Sequence, residues 1–344
     1  MIKKILFSAF FLLAITAALI GWIFWGSATS FEKDKYYLYI KTGMTYDEVL
    51  NLLKKDTVLK SPYFFNLLAK KIKYPANIKA GKYEIKKEMS LTDIVRMLKN
   101  GRQVPVNLVI TKLRTKENLA SMIGKHFECD SSSMMDFLEN NDSLKRYGLD
   151  SNTVLTAVFP DTYSYFWNST PSRVFKKFFS AYEEFWNDQR KQEAKEHGLD
   201  PGSAYILASI IEEETNKKED KALIASTYLN RLSKGMKLSA DPTIKFAMKN
   251  FELKRIYEKY LFIESPYNTY KYAGLPPGPI CTPSQETIDA VLTAPKTNYL
   301  YFVAKADFSG YSNFSETFEQ HLKFAKEYQK ALDSEMLKAK QPAK

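Results

Sequence analysis

The chain has 344 residues, a formal net charge of +11 at pH 7 and 14% aromatic residues, with 23 Phe and 22 Tyr. That length holds two folded domains beyond any membrane segment, and the composition is globular, which excludes disordered and collagen-like classes. The excess charge is mostly lysine, a hydrated point charge, and no zinc-finger or RRM spacing accompanies it. It reads first as solvated surface and then as attraction to an anionic membrane or wall polymer, with no nucleic-acid partner expected.

Residues 1–4 form a short stub carrying Lys3 and Lys4, and 5–25 are the uncharged run ILFSAFFLLAITAALIGWIFW. Such a run is long enough to cross the hydrocarbon core as a helix. The positive-inside rule puts the stub in the cytoplasm and the remainder outside, with Trp22 and Trp25 at the far interface. GSATS at Gly26 to Ser30 offers small residues for signal-peptide cleavage, but the length of the run and its bulky end favour an uncleaved anchor. Either reading exports the folded part. Cys129 and Cys281 lie far apart and outside any CxxC, so they read as a disulfide or, in preference, as buried thiols. His126, His197 and His321 are isolated and match no metal signature; no metal and no cofactor are expected.

From Tyr36 onward, strand–cap–helix patterns recur. YYLYIKTGMTYDEVLNLLKK has alternating apolar residues, then Thr45 and Glu48 at capping-box spacing and a Val49/Leu52/Leu53 stripe. AGKYEIKKEMSLTDIVRMLKNG repeats this with Ser90, Asp93 and a stripe of Ile94, Met97 and Leu98. VPVNLVITKLRTKENLASMIG is a weaker third copy with its spacing slipped by one. The span 36–125 therefore reads as small α+β modules, either a spacer or a carbohydrate-binding region.

The span 126–338 reads as a mainly helical domain with some short strands, followed by a tail at 339–344; the fold class is α+β overall. Pro160 interrupts the helical stretch at VFPDTYSYF, whose aromatics (Phe159, Tyr163, Tyr165, Phe166, then Trp167) serve either a sugar-facing groove or the core. Asp200 to Leu232 is the longest clean helical region, Tyr267 to Pro283 is rich in turns, Tyr299 to Ala304 is a strand and Ser315 to Lys338 a final amphipathic helix.

DPGSAYILASIIEEETNKK opens with Asp200 as N-cap and Pro201 at the first helical position. At about 100° per residue, Leu207, Ile210 and Ile211 form an apolar stripe with Glu214 in its middle. Glu212 points largely away and Glu213 sits on the flank. A carboxyl on an apolar face is desolvated, which raises its pKa and suits it to general-acid work. The plainer alternative is a solvated acidic helix end bonded to Lys217 or Lys218.

Four long segments follow in fixed order: ASIIEEET at Ala208, STYLNRLSKGMKLSADPTIKFA at Ser226, SPYNTYKYAGLPPGPICTPS at Ser265 and APKTNYLYFVA at Ala294. With FPDTY at Phe159 and IKAGKYEI at Ile78, they resemble the YceG-like family of endolytic murein transglycosylases. The arrangement of one N-terminal anchor followed by a LysM-like region at 36–125 resembles it too. The resemblance implies a catalytic glutamate immediately before Thr, here Glu214, and a substrate site including Glu212, Asn230, Arg231, Asp241, Thr243, Tyr267, Asn268, Thr269 and Tyr270. Where the family often has His two residues before a Phe, this chain has Ser312 before Phe314.

The implied activity is lytic cleavage of the MurNAc–GlcNAc β-1,4 bond in nascent peptidoglycan strands. The MurNAc C6 hydroxyl attacks its own C1 and leaves a 1,6-anhydro end, so one carboxyl serves as acid and then base, where ordinary glycosidases need two. The implied location is the bacterial inner membrane, single-pass, with the catalytic domain on the extracytoplasmic side and cell-wall synthesis proteins as partners. Two rivals remain open at this point. One is a hydrolytic muramidase using Glu214 with Asp241 or Glu264; the other is a non-catalytic wall-binding protein.

Overall fold

The computed structural model describes residues 2–253 and 255–339. Met1 of the stub and residues 340–344 of the tail lie outside the described residues. In chain order the elements are α1 (Ile2–Trp25), β1 (Lys35–Ile40), α2 (Tyr46–Lys55), α3 (Pro62–Lys71), β2 (Gly81–Lys86), α4 (Leu91–Asn100), β3 (Val106–Ile110), α5 (Lys116–His126), α6 (Ser131–Glu139) and α7 (Asn141–Lys145). They continue as β4 (Asp161–Tyr165), α8 (Pro171–Phe185), α9 (Asp188–Glu196), α10 (Pro201–Glu214), α11 (Lys218–Ser233), α12 (Asp241–Ala247), α13 (Gln285–Leu292), β5 (Tyr301–Ala304), β6 (Ser312–Ser315) and α14 (Phe318–Ala339). The described strands form three two-stranded sheets, β1–β2, β3–β4 and β5–β6, so the class is mixed helix and small sheets.

Helix α1 is 24 residues long with a mean hydropathy of 2.3, long and apolar enough to cross a membrane. The chain divides into two compact units, and α1 belongs to the first. The first comprises 1–108, 124–130 and 164–170; the second comprises 109–123, 131–163 and 171–344. Compactness thus divides the chain at other positions than the sequence pattern does. The third strand–helix copy is split, because β3 passes from one unit to the other and α5 turns its Leu119, Ala120 and Ile123 into the interior.

In the first unit, β1 and β2 pair antiparallel with Leu38 opposite Tyr83 and Tyr36 opposite Ile85. Leu38, Ile40, Tyr83 and Ile85 all face inward, the period-2 alternation of a sheet with one covered face. Thr45 and Glu48 form the expected capping box on α2, and Ser90 accepts from the Asp93 amide at the start of α4. The buried stripe of α2 is Tyr46, Val49, Leu50 and Leu53. Leu50 replaces Leu52 of the sequence reading, since positions 46, 49, 50 and 53 share one helix face and Leu52 falls on its flank.

In the second unit the core gathers around α10. Its residues from Ala204 to Ile211 are all buried, so α10 is not a one-sided amphipathic helix but the centre of the unit, packed by α9, α11, α12 and α13. Ser209 tolerates this because its hydroxyl donates to the Ile206 carbonyl at 2.7 Å and accepts from the Ile280 amide at 3.0 Å. Cys281 is buried with its thiol on the Ser209 carbonyl at 3.3 Å; Cys129 is half-buried, and both are free thiols. Phe159 belongs to this core, whereas Phe166 is exposed. At the C-terminal end the expected strand is shorter, and β6 was not anticipated: SNFS pairs antiparallel with β5, which delays the start of α14 to Phe318.

Asp200 holds the first turn of α10, accepting the Ser203 amide at 2.7 Å, with Pro201 inside the helix start as expected. Asp200→Ala is expected to lower unfolding stability by about 1 kcal/mol and Asp200→Asn by much less, measured by urea denaturation.

Candidate active site

The three consecutive acids end α10 and meet three different environments. Glu212 accepts hydrogen bonds from Lys221 Nζ at 3.2 Å, from Ser284 Oγ at 3.0 Å and from Thr287 Oγ1. Lys221 is itself buried and also donates to Thr287 at 2.7 Å, so Glu212 ties α10 to α11 and α13. Glu213 is bridged by Lys112 at 2.8 Å and Arg114 at 2.9 Å. Burial is the largest single effect on Glu213 and pushes its pKa up; the bonds and charges of Lys112 and Arg114 together outweigh it, and the net shift is down.

Glu214 has no cationic hydrogen-bond partner among the described residues. The Tyr228 hydroxyl of α11 donates to its Oε1 at 2.8 Å. The side chain sits among protein atoms but opens on one side to a cavity of about 460 Å3, which Thr215, Lys217 and Gly310 also line. Desolvation by burial pushes its pKa from 4.5 up to about 7; the Tyr228 hydrogen bond, Lys245 and Arg231 pull it down, and the negative charge of Asp241 adds to the rise. The wheel thus singled out the acid that is most desolvated, though α10 is buried on every face from Ala204 to Ile211 and not along one stripe.

The other sequence-derived residues divide into two groups. Arg231, Asp241 and Tyr270 are electrostatic neighbours of Glu214. Tyr270 donates to Asp241 at 2.6 Å, and its own pKa is raised, first by burial and then by that carboxylate. Arg231 is fixed by the Leu300 carbonyl on Nε and the Leu238 carbonyl on Nη1, each at 2.6 Å, with Tyr301 beneath its guanidinium. The second group is spent on internal bonds. Asn230 donates to the Thr297 and Tyr299 carbonyls. Thr243 and Thr269 join hydroxyls at 2.9 Å, and Thr269 also accepts the Ala240 amide. Asn268 is fully buried, donates to the Leu261 and Ile263 carbonyls and accepts the Tyr270 amide. Tyr267 packs on Phe246 at 4.6 Å. Ser312 donates its amide to the buried carboxylate of Asp220 at 2.7 Å, and His321 stacks on Tyr301.

Sequence reasoning did not single out Tyr228, Lys245, Lys112 or Arg114. Helical spacing carried a signal for two of them: Tyr228 precedes Arg231 by three residues on α11, and Lys245 follows Asp241 by four on α12. Lys112 and Arg114 lie about a hundred positions before Glu213, and no local pattern links them.

A model of the YceG-like family matches residues 38–327. The chain belongs to the YceG-like family. Among YceG-like relatives, the Bacillus subtilis (strain 168) protein named endolytic murein transglycosylase is 30% identical over 312 residues, covering 86% of each chain. A Streptococcus pneumoniae D39 protein of the same name is 28% identical; the match covers 77% of this chain and 53% of that longer one. The 2.6 Å crystal structure of a yceG-like protein from Listeria monocytogenes superposes with a TM-score of 0.55 at 28% identity, covering 85% of this chain and 99% of that one.

The raised pKa of Glu214 has a stability consequence. Between pH 4.5 and about 7 the folded state keeps a proton that the unfolded state has released, so folding loses stability as pH rises through that window. Glu214→Gln removes this dependence. The Tm of the variant relative to wild type is expected to rise by on the order of a few degrees between pH 4 and pH 8, read by calorimetry; a difference that stays constant with pH means that Glu214 titrates normally.

Proposed function

We propose that this protein is a membrane-anchored endolytic lytic transglycosylase that cleaves MurNAc–GlcNAc bonds of nascent peptidoglycan, with Glu214 as its single acid and base. The observation that carries this reading is the carboxyl itself: desolvated at the end of a buried helix, its pKa near 7, bonded on Oε1 only and open to a cavity. The names of the relatives supply the substrate class.

In the protonated acid, the Tyr228 hydroxyl occupies Oε1, which leaves Oε2 to carry the proton. Glu214 donates that proton to the leaving GlcNAc oxygen as the glycosidic bond breaks. The carboxylate then takes the proton of the MurNAc C6 hydroxyl as its oxygen bonds to C1, so the group returns to its starting state. Because the nucleophile belongs to the same sugar, no second carboxylate is required to activate water. Asp241 helps to keep Glu214 protonated, and its bond from Tyr270 orients both groups. Arg231 keeps Nη2 without a protein partner among the described residues and is assigned to the sugar, as are Tyr270 and Asp241. Glu212, Asn230, Thr243, Asn268 and Thr269 are assigned to holding these elements in register, and Tyr267 to packing beneath them.

We read the first unit as LysM-like and glycan-binding, supported by its β1–α2–α3–β2 order and antiparallel pair. The anchor with Lys3 and Lys4 before it supports an extracytoplasmic active site.

The reading is tested by digesting isolated glycan strands with the full chain and weighing the ends. Wild type is expected to give 1,6-anhydroMurNAc ends and Glu214→Gln none. Reducing MurNAc ends point to a muramidase in which Asp241 activates water, and no cleavage by wild type points to a wall-binding protein. The alkaline limb of kcat/KM is expected near pH 7. Tyr228→Phe removes a bond that lowers the Glu214 pKa and moves the limb up; Asp241→Asn removes a charge that raises it and moves the limb down.

A further inference from the structure

Helix α1 joins the first unit without a linker. Gly26, directly after the helix, approaches the Trp22 carbonyl so closely that a Cβ there would stand 2.4 Å from that oxygen. The next residues are already paired with the folded unit: Ser27 bridges Ser90, and Thr29 bridges Leu59. The Ala28 amide donates to the Met89 carbonyl at 3.0 Å, and the Ala28 carbonyl accepts the Lys60 amide at 2.8 Å. Helix α1 itself takes part, since Thr92 Oγ1 donates to the Phe24 carbonyl at 2.8 Å and the Phe24 ring meets Phe64 of α3 with centroids 6.2 Å apart.

These contacts set the first unit close against the end of α1. At about 1.5 Å per residue the uncharged run 5–25 is some 31 Å long, matching the ~30 Å hydrocarbon core, so with Lys3 and Lys4 at one face the last residues of α1 reach the other interface. Trp22 and Trp25, both exposed, suit that depth. A cavity of about 130 Å3 is lined by Trp22 and Ile23 from α1 together with Lys60, Ser61 and Phe64 at the start of α3. The first turn of α3 is therefore level with the last turns of α1.

The exposed face of α3 has the composition that this depth demands. Tyr63, Leu67, Lys70 and Lys71 fall within about 100° of one another on the helix, opposite the buried Phe65 and Ala69. Tyr63 is 69% and Leu67 52% exposed. Lys60 donates to the Ser27 carbonyl and hydroxyl, and neither it nor Lys70 or Lys71 has a carboxylate partner among the described residues. An aromatic and an aliphatic residue flanked by unpaired lysines is the pattern of a helix lying in an anionic lipid interface.

We propose that the first unit lies on the membrane through this face, with Tyr63 and Leu67 among the headgroups and Lys60, Lys70 and Lys71 on the phosphates of anionic phospholipid. The inference is independent of the cleavage reading. It is tested on the full chain with Cys129→Ser, carrying an environment-sensitive dye on Tyr63→Cys, on Leu67→Cys, or on Asn100→Cys at the far end of α4. The chains are inserted in phosphatidylcholine vesicles with and without phosphatidylglycerol, and headgroup spin-labelled lipid is the quencher. Quenching at 63 and 67 at least twofold stronger than at 100, and reduced in phosphatidylglycerol vesicles by Lys60→Gln/Lys70→Gln/Lys71→Gln, is the expected result. Equal quenching at all three sites overturns the proposal. So does a blue-shifted dye at 63 that lipid does not quench, which means that a second protein chain covers the face. Loss of the protein from the vesicles on alkaline washing overturns it too, by removing the anchor.

Discussion

A carboxyl group that keeps its proton near neutrality has to be held away from water, and the second unit is organised around that requirement. Burying α10 on all sides carries the end of the helix into the protein, where three acids in a row could not all be tolerated as free charges. Glu212 and Glu213 are compensated by Lys221 and by Lys112 with Arg114. Among the described residues only Glu214 is left without a cation bonded to it, so burial outweighs the Tyr228 bond and the more distant charges of Lys245 and Arg231. The ion pairs beside Glu214 therefore let the helix terminate inside the fold while a single carboxyl is left with a raised pKa.

The same requirement explains the polar residues that surround the site without facing it. A loop that brings Asp241 and Tyr270 near a buried acid must satisfy its own backbone. Asn268 does this by donating to two carbonyls and accepting the Tyr270 amide, and Thr243 and Thr269 join the loop to α12. Arg231 is similarly spent on two carbonyls. Rigid support of this kind fits the proposed proton donor, since misplacement by an ångström is costly to rate.

Much of this was legible in the sequence where the signal was local. The caps at Thr45, Ser90 and Asp200, the β1–β2 alternation and the position of Glu214 all follow from spacing within one element. What escaped depended on distant partners. No pattern near Glu213 names Lys112 or Arg114, and β6 has meaning as a strand only opposite β5. The stripe on α10 was legible as apolar but not as central, because burial on the other faces comes from α9, α12 and α13, which local periodicity does not see.

The tight junction at Gly26 also sets how the folded part beyond α1 searches its surroundings. A protein tethered by a flexible linker sweeps a hemisphere whose radius grows with the square root of linker length. Here the first inter-element backbone bonds form three residues beyond the helix end, at Ala28. With α1 set in a bilayer, the first unit inherits the tilt and axial spin of the helix, and its encounters are confined to two dimensions at a fixed height above the lipid. Polymer that has grown away from that layer is out of its reach, whatever its chemistry.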